Sequence, residues 1–321
     1  MSTLELKVIA VTEEAPMVRS FELASTAGDD LPGYSPGSHI RVSLPNGDDR
    51  PYSLVNLDPG VEPTQGGSRY RLGVRLEEAS QGGSSFMHGL KPGDRLSVTL
   101  PKNDFALIDG PAPVVLMAGG IGITPIASMA SALLRQKRDF ILHYSGRAQG
   151  SLAFIAPLRA LLGEKLIEHY DDLSGGYLDA GVLLSAADPE SHLYVCGPKP
   201  MIEAVQAAAR QRGWPEERIH FELFTPPVAQ TGDKPFEVEI ASSGESFTVP
   251  VGKSIIEVLE AAGQDLIYDC QRGDCGICQT DVISGEPDHR DVVLTDSEKA
   301  SGKVMQICVS RAHSAKLVLD L

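Results

Sequence analysis

Long apolar runs are missing from this sequence of 321 residues, and no stretch approaches 18 consecutive apolar residues. A membrane-spanning helix is therefore not expected. Residues 1–10 contain Glu5 and Lys7 and no apolar core, so we expect no signal peptide and a cytoplasmic location. Basic residues are few, 28 against 43 acidic residues, and the net charge of −15 argues against nucleic acid or an anionic membrane as a partner. The 8 histidines include no pair at H-x₃-H spacing, so a histidine metal site is not expected.

Cysteine is also scarce, and the odd count of five without an export signal favours metal binding over disulfides. Four of the five follow the pattern C-x₄-C-x₂-C-x₂₉-C: Cys270, Cys275, Cys278 and Cys308. This spacing is typical of a plant-type 2Fe–2S ferredoxin. Gly273 and Gly276 would let the loop turn its N–H groups toward bridging sulfides. Zinc is the alternative, but zinc ligands usually come as two short pairs, which favours iron–sulfur.

Three regimes of composition divide the chain. Residues 1–105 contain short β-type runs separated by turns, which predicts an antiparallel β-barrel. Apolar strands alternate with helices in residues 106–226, which predicts a parallel α/β sheet. Residues 225–235 are rich in proline, glycine and polar residues and are predicted to be a linker. Residues 235–321 begin afresh with alternating strands and carry 7 basic and 15 acidic residues, a net charge of −8.

Two short motifs in the first segment have the chemistry of a flavin site. One lies at the start of a β-type run: Arg50, Pro51, Tyr52 and Ser53. Arg50 could hold a phosphate, Tyr52 could contact the ring system or ribityl chain, and Ser53 could donate to flavin N5. The other is a glycine-rich turn before a short helix: Gly82, Gly83 and Ser84. Such a turn can bind phosphate through its N–H groups, although an ordinary strand and a surface turn are the alternatives.

The second segment has the features of a nucleotide site. A strand leads into a glycine turn and a helix start: Gly119, Gly120, Gly122 and Thr124. Glycines allow the backbone to approach a pyrophosphate, but the full G-x-G-x-x-G pattern is absent. The next strand ends at Ser145 and Arg147 without an acidic ribose ligand, which disfavours a standard Rossmann half.

Another strand in this segment ends at Cys196, Gly197 and Pro198. Ligands of open α/β sheets lie beyond the carboxyl ends of the strands, so we expect Cys196 to share a crevice with Gly119–Gly122. A buried structural thiol is the alternative for Cys196.

In combination, the motifs RPYSL, QGGS, AGGIGITP, YVCGP and the cysteine set resemble the phthalate dioxygenase reductase family, in the same order and over essentially the whole chain. The resemblance implies a flavin-binding β-barrel, a nucleotide-binding α/β domain and a plant-type ferredoxin domain with the β-grasp fold. It implies FMN, NADH and a 2Fe–2S cluster as cofactors. It adds further flavin-site residues: Gly73, Val74 and Arg75. It also places Phe224 over the flavin, and with Ser53 and Cys196 it makes Phe224 part of the catalytic set. Gln81 departs from relatives that often carry arginine.

The implied activity is hydride transfer from NADH to FMN, followed by single-electron transfer through the cluster to a Rieske-type oxygenase, with the reductase a monomer. Alternatives left open are another acceptor such as a cytochrome, NADPH bound through Arg147, FAD in place of FMN, and a non-redox module clasped by zinc. Acidic residues beside the cluster, Asp269 and Asp274, are predicted to steer docking to a basic patch on the partner.

Overall fold

The structure, a computed structural model, describes residues 3–78, 80, 82–174, 178–224 and 230–321. Gln81 and residues 225–229 of the predicted linker lie outside these ranges. The chain divides into two compact units, one ending at Glu222 and the other running from Leu223 to Leu321. Among the described residues, no helix combines the length and the apolar character needed to cross a bilayer.

The first unit begins with a six-stranded antiparallel sheet in the order β4-β3-β6-β1-β2-β5. Its strands are β1 (Thr3–Ala15), β2 (Val18–Ser25), β3 (His39–Ser43), β4 (Asp49–Ser53), β5 (Tyr70–Arg75) and β6 (Arg95–Thr99). A bridge between Leu54 and Leu72 joins the two edges of the sheet, so it closes on itself as the predicted barrel requires. Alternating side chains such as Leu6 and Val8 fill the interior and are fully buried. Helix α1 (Gly83–Gly89) covers part of this sheet next to β5.

The same unit continues with a five-stranded parallel sheet in the order β11-β10-β7-β8-β9. Its strands are β7 (Val114–Gly119), β8 (Phe140–Gly146), β9 (Leu166–Tyr170), β10 (His192–Cys196) and β11 (Ile219–Glu222). Its helices are α2 (Ile123–Arg135), α3 (Ile155–Leu162), α4 (Asp171–Ser174), α5 (Ala180–Ser185) and α6 (Lys199–Gln211). All six residues of β7 are buried, as expected for a central strand covered on both faces.

The second unit is built on a mixed five-stranded sheet in the order β13-β12-β18-β14-β16, with a separate β15-β17 pair. Its strands are β12 (Phe236–Ile240), β13 (Ser246–Val249), β14 (Gln279–Ser284), β15 (Pro287–Asp288), β16 (Val304–Gln306), β17 (Arg311–Ala312) and β18 (Lys316–Leu319). Helix α7 (Ile255–Ala261) begins with a capping box between Ser254 and Glu257, and α8 (Asp296–Ser301) has one between Thr295 and Glu298. The cysteine-rich loop lies between α7 and β14.

Candidate functional site

The glycine turn after β7 and the Cys-Gly-Pro turn after β10 lie against each other, as predicted. β7 pairs with β8 on one side and β10 on the other, so the chain order switches at this point of the sheet. A Cβ atom added to Gly122 would lie 2.1 Å from the carbonyl oxygen of Cys196, and one on Gly119 would lie 2.8 Å from Cδ of Pro198. Such switch points are where open α/β sheets bind their ligands.

The start of α2 joins this crevice to the antiparallel sheet. The Thr124 hydroxyl donates to the carbonyl of Ile121 at 3.0 Å, and the residue is 1 % exposed. A Cβ added to Gly73 of β5 would lie 2.7 Å from the Thr124 methyl carbon. The Ser128 hydroxyl donates to the carbonyl of Leu54 at 2.6 Å. The predicted flavin and nucleotide segments therefore meet within one unit.

The two predicted flavin motifs also come together. A Cβ added to Gly83 would lie 2.7 Å from Cγ of Arg50 and 3.1 Å from the Tyr52 hydroxyl, so only glycine fits there. The Arg50 guanidinium donates to the carbonyl of Asp49 at 2.7 Å and lies 3.4 Å from the Asp48 carboxylate. The Arg50 side chain is 32 % exposed, so its guanidinium is accessible to a ligand.

Tyr52 and Ser53 are held as neutral hydrogen-bonding groups. Burial raises the pKa of Tyr52 to about 12, although the nearby Arg50 charge opposes the shift. The phenol therefore keeps its proton at neutral pH and can donate to a ligand. Ser53 is 5 % exposed and lies opposite His39 in the β3–β4 ladder.

The other predicted flavin-site residues, Val74, Ser84 and Arg75, differ in what their side chains contact. The Val74 side chain is part of the barrel core, so only its backbone could reach a ligand. The Ser84 hydroxyl donates to Ser80 at 3.0 Å and accepts from the N–H of Glu77, which shapes the turn itself. Arg75 is exposed and lies 3.9 Å from the Glu77 carboxylate.

The sides of the nucleotide crevice also differ in exposure. Arg147 is exposed, at the end of β8. Cys196 is fully buried, as the alternative of a structural thiol predicts. It is the backbone carbonyl of Cys196 that packs against Gly122. Phe224 belongs to the second unit, and its position over the flavin stays a prediction.

Three residues that support the site were missed by sequence reasoning. Phe154 has φ 57° and is 1 % exposed; its ring would lie 2.9 Å from a Cβ added to Gly73. The Tyr144 hydroxyl donates to the carbonyl of Gly120 at 3.1 Å. The sulfur of Met201 would lie 2.6 Å from a Cβ added to Gly119. No local pattern marks these residues, since each acts through a contact with a residue distant in sequence.

The four predicted cluster ligands converge in the second unit. The Cys275 and Cys308 thiols hydrogen-bond to Cys270, and this holds the pKa of Cys270 well below its ordinary value. Hydrogen bonds to Cys270 and to Cys278 raise the pKa of Cys308. Cys278 and Cys308 are 3 % and 6 % exposed.

The backbone of the cysteine loop is shaped for this convergence. Gln271, Gly273 and Gly276 all have positive φ, at 54°, 80° and 77°. A Cβ added to Gly273 would lie 2.7 Å from Val309 and 3.0 Å from Cα of Asp291, so its φ and its surroundings both require glycine. The donor set and the tight loop fit a 2Fe–2S cluster held by the four thiolates.

A single zinc ion needs its four ligands within reach of one metal atom. A 2Fe–2S cluster makes a different demand, because the four thiolates are shared between two irons.

Asp274 is not the surface residue that the steering prediction assumed. Its side chain is 5 % exposed and lies 3.4 Å from the Arg272 guanidinium, which is 8 % exposed. Its carboxylate also accepts from the N–H of Leu223 at 2.8 Å. Burial raises the pKa of Asp274 to about 7, and Arg272 opposes the shift. Asp274 therefore makes buried contacts within the second unit and is not exposed for docking.

Two family models match the chain. The 2Fe-2S iron-sulfur cluster binding domain matches residues 238–313, and the oxidoreductase NAD-binding domain matches residues 116–207. The first match contains all four converging cysteines, and the second contains both turns of the nucleotide crevice.

Similar proteins match over the full length. Tetrachlorobenzoquinone reductase of Sphingobium chlorophenolicum is 40 % identical over 328 residues, covering 100 % of this chain and 99 % of that protein. Vanillate O-demethylase oxidoreductase of Pseudomonas sp. (strain HR199 / DSM 7063) is 40 % identical over 322 residues, covering 99 % and 100 %. The solved structure of phthalate dioxygenase reductase, described as modular for electron transfer from pyridine nucleotides to [2Fe-2S], shares 37 % identity with a TM-score of 0.72, covering 100 % and 98 %. The predicted fold class is thereby confirmed.

Proposed function

The chain belongs to the phthalate dioxygenase reductase family, and we propose that it is the NADH-dependent reductase component of an aromatic-ring dioxygenase or O-demethylase with a Rieske-type oxygenase. The observation that carries the proposal is the presence, in one chain, of a nucleotide crevice and four converging thiols. When bound, FMN accepts a hydride from NADH and the 2Fe–2S cluster carries electrons singly.

At the flavin, the chain supplies positioning and hydrogen bonds. Arg50 would hold the FMN phosphate together with the N–H groups of Gly82, Gly83 and Ser84. The protonated Tyr52 phenol and the buried Ser53 hydroxyl would orient the flavin, with Ser53 as the donor to N5. The backbone of Gly73–Arg75 and the side of Thr124 close the site on the face where β5 meets α2.

At the nucleotide, close packing of two turns forms the binding surface. Gly119, Gly120 and Gly122 approach the pyrophosphate, and the start of α2 favours its negative charge. Cys196, Gly197 and Pro198 form the opposite wall and would position the nicotinamide, and Phe224 would cover the flavin where the nicotinamide docks.

The coenzyme preference follows from the charges at the end of β8. The N–H of Asp172 donates to the carbonyl of Arg147 at 3.1 Å, so the acidic start of α4 lies beside Ser145–Arg147. Negative charge there repels a 2′-phosphate, which favours NADH although Arg147 could pair with one. A higher kcat/KM with NADPH than with NADH would contradict this assignment.

A quinone is the second candidate acceptor, because the chain is equally similar to a tetrachlorobenzoquinone reductase. A small quinone can take electrons without docking of a protein, whereas an oxygenase must meet the cluster. The kcat/KM of the wild type for each acceptor separates the two. A higher value for a Rieske oxygenase than for a quinone supports the oxygenase, and the reverse order supports the quinone.

The test of the main proposal uses the purified full chain with NADH and purified Rieske oxygenases. The protein should be red-brown from flavin and cluster, and NADH should reduce the Rieske centre catalytically. A colourless protein, or a coloured one whose NADH oxidation reduces no oxygenase and no quinone, would contradict the proposal.

The remaining assignments are part of the same proposal. We place the flavin domain at residues 1–105, the nucleotide domain at 106–226 and the ferredoxin domain at 235–321. We propose a cytoplasmic monomer, which size-exclusion chromatography with light scattering would test.

A further inference from the structure

The second half of the predicted linker is fastened to the cluster-bearing unit. The Asp233 side chain is 5 % exposed and accepts two hydrogen bonds from the Arg290 guanidinium, at 2.5 and 3.0 Å. Arg290 is itself 7 % exposed and donates to Asp288 at 2.6 and 2.9 Å. A forked arginine between two carboxylates is among the strongest polar contacts in proteins. Asp233 is therefore part of this unit and not a free linker residue.

A second buried arginine holds the same stretch of chain. Arg311 lies 3.8 Å from the Asp233 carboxylate and donates to the carbonyl of Lys234 at 3.0 Å. Its guanidinium also stacks over the Phe236 ring at 5.0 Å from the centroid. Residues 233–236 are thus bound through side chain, backbone and ring, and we call Asp233, Arg290 and Arg311 the clasp.

The clasp is connected to both halves of the cluster ligand set. The N–H of Arg290 donates to the Ser310 hydroxyl at 3.3 Å, two residues beyond Cys308. Two residues after Arg290, the N–H of Val292 donates to the carbonyl of Gly273 at 3.0 Å, inside the cysteine loop. A displacement of residues 233–236 would therefore shift the backbone beside the cluster ligands.

We infer that the clasp is a positioning device for electron transfer from flavin to cluster, an inference that rests on the proposed function. Through the Ser310 and Val292 contacts, the clasp holds the backbone beside both parts of the ligand set, so its loss would shift the cysteine loop, and a small shift changes the distance that an electron must cross. Asp233, Arg290 and Arg311 are positioning residues, since they act through the backbone around the loop and not on a reacting atom.

The experiment compares Arg290→Lys, which keeps the charge but loses the fork, and Asp233→Asn, which keeps the shape but loses the charge. In holoprotein, we expect stopped-flow reduction of the cluster by NADH to slow about tenfold, since a displacement of about 1 Å can cost up to about 100-fold. Flavin reduction by NADH and cluster reduction by dithionite should keep their wild-type rates. Amide exchange over residues 230–236 should accelerate in both variants, which is a readout independent of activity.

A surface ion pair in the same unit provides the matched control. Lys316 and Glu239 lie 2.5 Å apart with side chains 41 % and 30 % exposed, so Lys316→Gln should leave every rate unchanged. Wild-type cluster reduction in both clasp variants would overturn the inference. Loss of cluster absorbance in proportion to the lost rate would also overturn it, because the clasp would then serve cluster retention only. A wild-type protein whose cluster NADH does not reduce would overturn the proposed function itself.

Discussion

Gly122→Ala is the substitution that tests the nucleotide crevice most directly. The backbone of Gly122 has φ −59° and ψ −8°, which alanine adopts without strain, so the effect of the new methyl group is purely steric. That methyl would lie 2.1 Å from the Cys196 carbonyl oxygen and 2.4 Å from its carbonyl carbon. Cβ atoms essentially never approach within 3.0 Å of such atoms. The two turns must therefore separate by about 0.9 Å.

The size of the effect follows from that separation. Overpacking of a tight contact costs about 1–3 kcal/mol, and the strain is relieved by opening the crevice that binds NADH. If this whole free energy is lost from the binding of NADH and its transition state, kcat/KM for NADH falls by about five- to 150-fold. The second unit is a separate compact body, so cluster absorbance and dithionite reduction should not change.

The assay is stopped-flow reduction of the flavin over a range of NADH concentrations, with Gly67→Ala as control. Gly67 belongs to the same unit, lacks a left-handed φ, and has no atom within 4 Å of an added Cβ. The control should behave as wild type. A wild-type kcat/KM in Gly122→Ala, with the protein folded, would refute the assignment of this contact to the nucleotide site.

Three further predictions concern the cluster, acid stability and docking. Cys308→Ser should lose the cluster absorbance but keep NADH-to-dye activity, whereas Cys196→Ser should keep the cluster; a full cluster in Cys308→Ser would refute the ligand set. Burial lowers the pKa of His143 and of His220 to about 4, and each is hydrogen-bonded to a second histidine. The unfolded chain, with histidine pKa values of about 6.5, binds more protons below that pH, so stability is complete above pH 6.5 and falls toward pH 4. Thermal unfolding across this range should show the fall, and a flat profile would contradict it. Asp269→Lys should slow oxygenase reduction at low salt but leave flavin reduction unchanged, and the difference should vanish near 1 M salt, where the Debye length is about 3 Å. Equal oxygenase reduction by variant and wild type at every salt concentration would show that Asp269 only keeps the surface soluble.

The chemistry-bearing motifs could be predicted because their requirements are local. Three of the four cysteines occupy one nine-residue loop, and a cluster imposes that spacing directly. The contact between Gly122 and Cys196 was also predictable, because parallel strands bring their carboxyl ends to one edge of the sheet.

Other features depend on partners far away in sequence and could not be predicted. Asp233 meets Arg290 across 57 residues, and neither neighbourhood carries a signal for the pairing. The edge strand β9 escaped notice because it is short and its pattern is not wholly apolar, with Ile167 37 % exposed. Phe154 adopts a left-handed φ that the local sequence gives no reason to expect.

Asp269 and Asp274 also could not be told apart from the sequence, and the structure predicts different results for their replacement by lysine. In sequence each precedes a cluster cysteine, so both were expected to steer docking. In the structure Asp274 faces the buried Arg272, and a lysine there would place two cations in one buried site. Removing one partner of a buried ion pair costs about 3–5 kcal/mol, and the added repulsion increases that cost. Asp274→Lys should therefore lose the cluster at every salt concentration, as read from visible absorbance. An Asp274→Lys protein with a full cluster and only a salt-dependent docking defect would show that Asp274 acts at the surface after all.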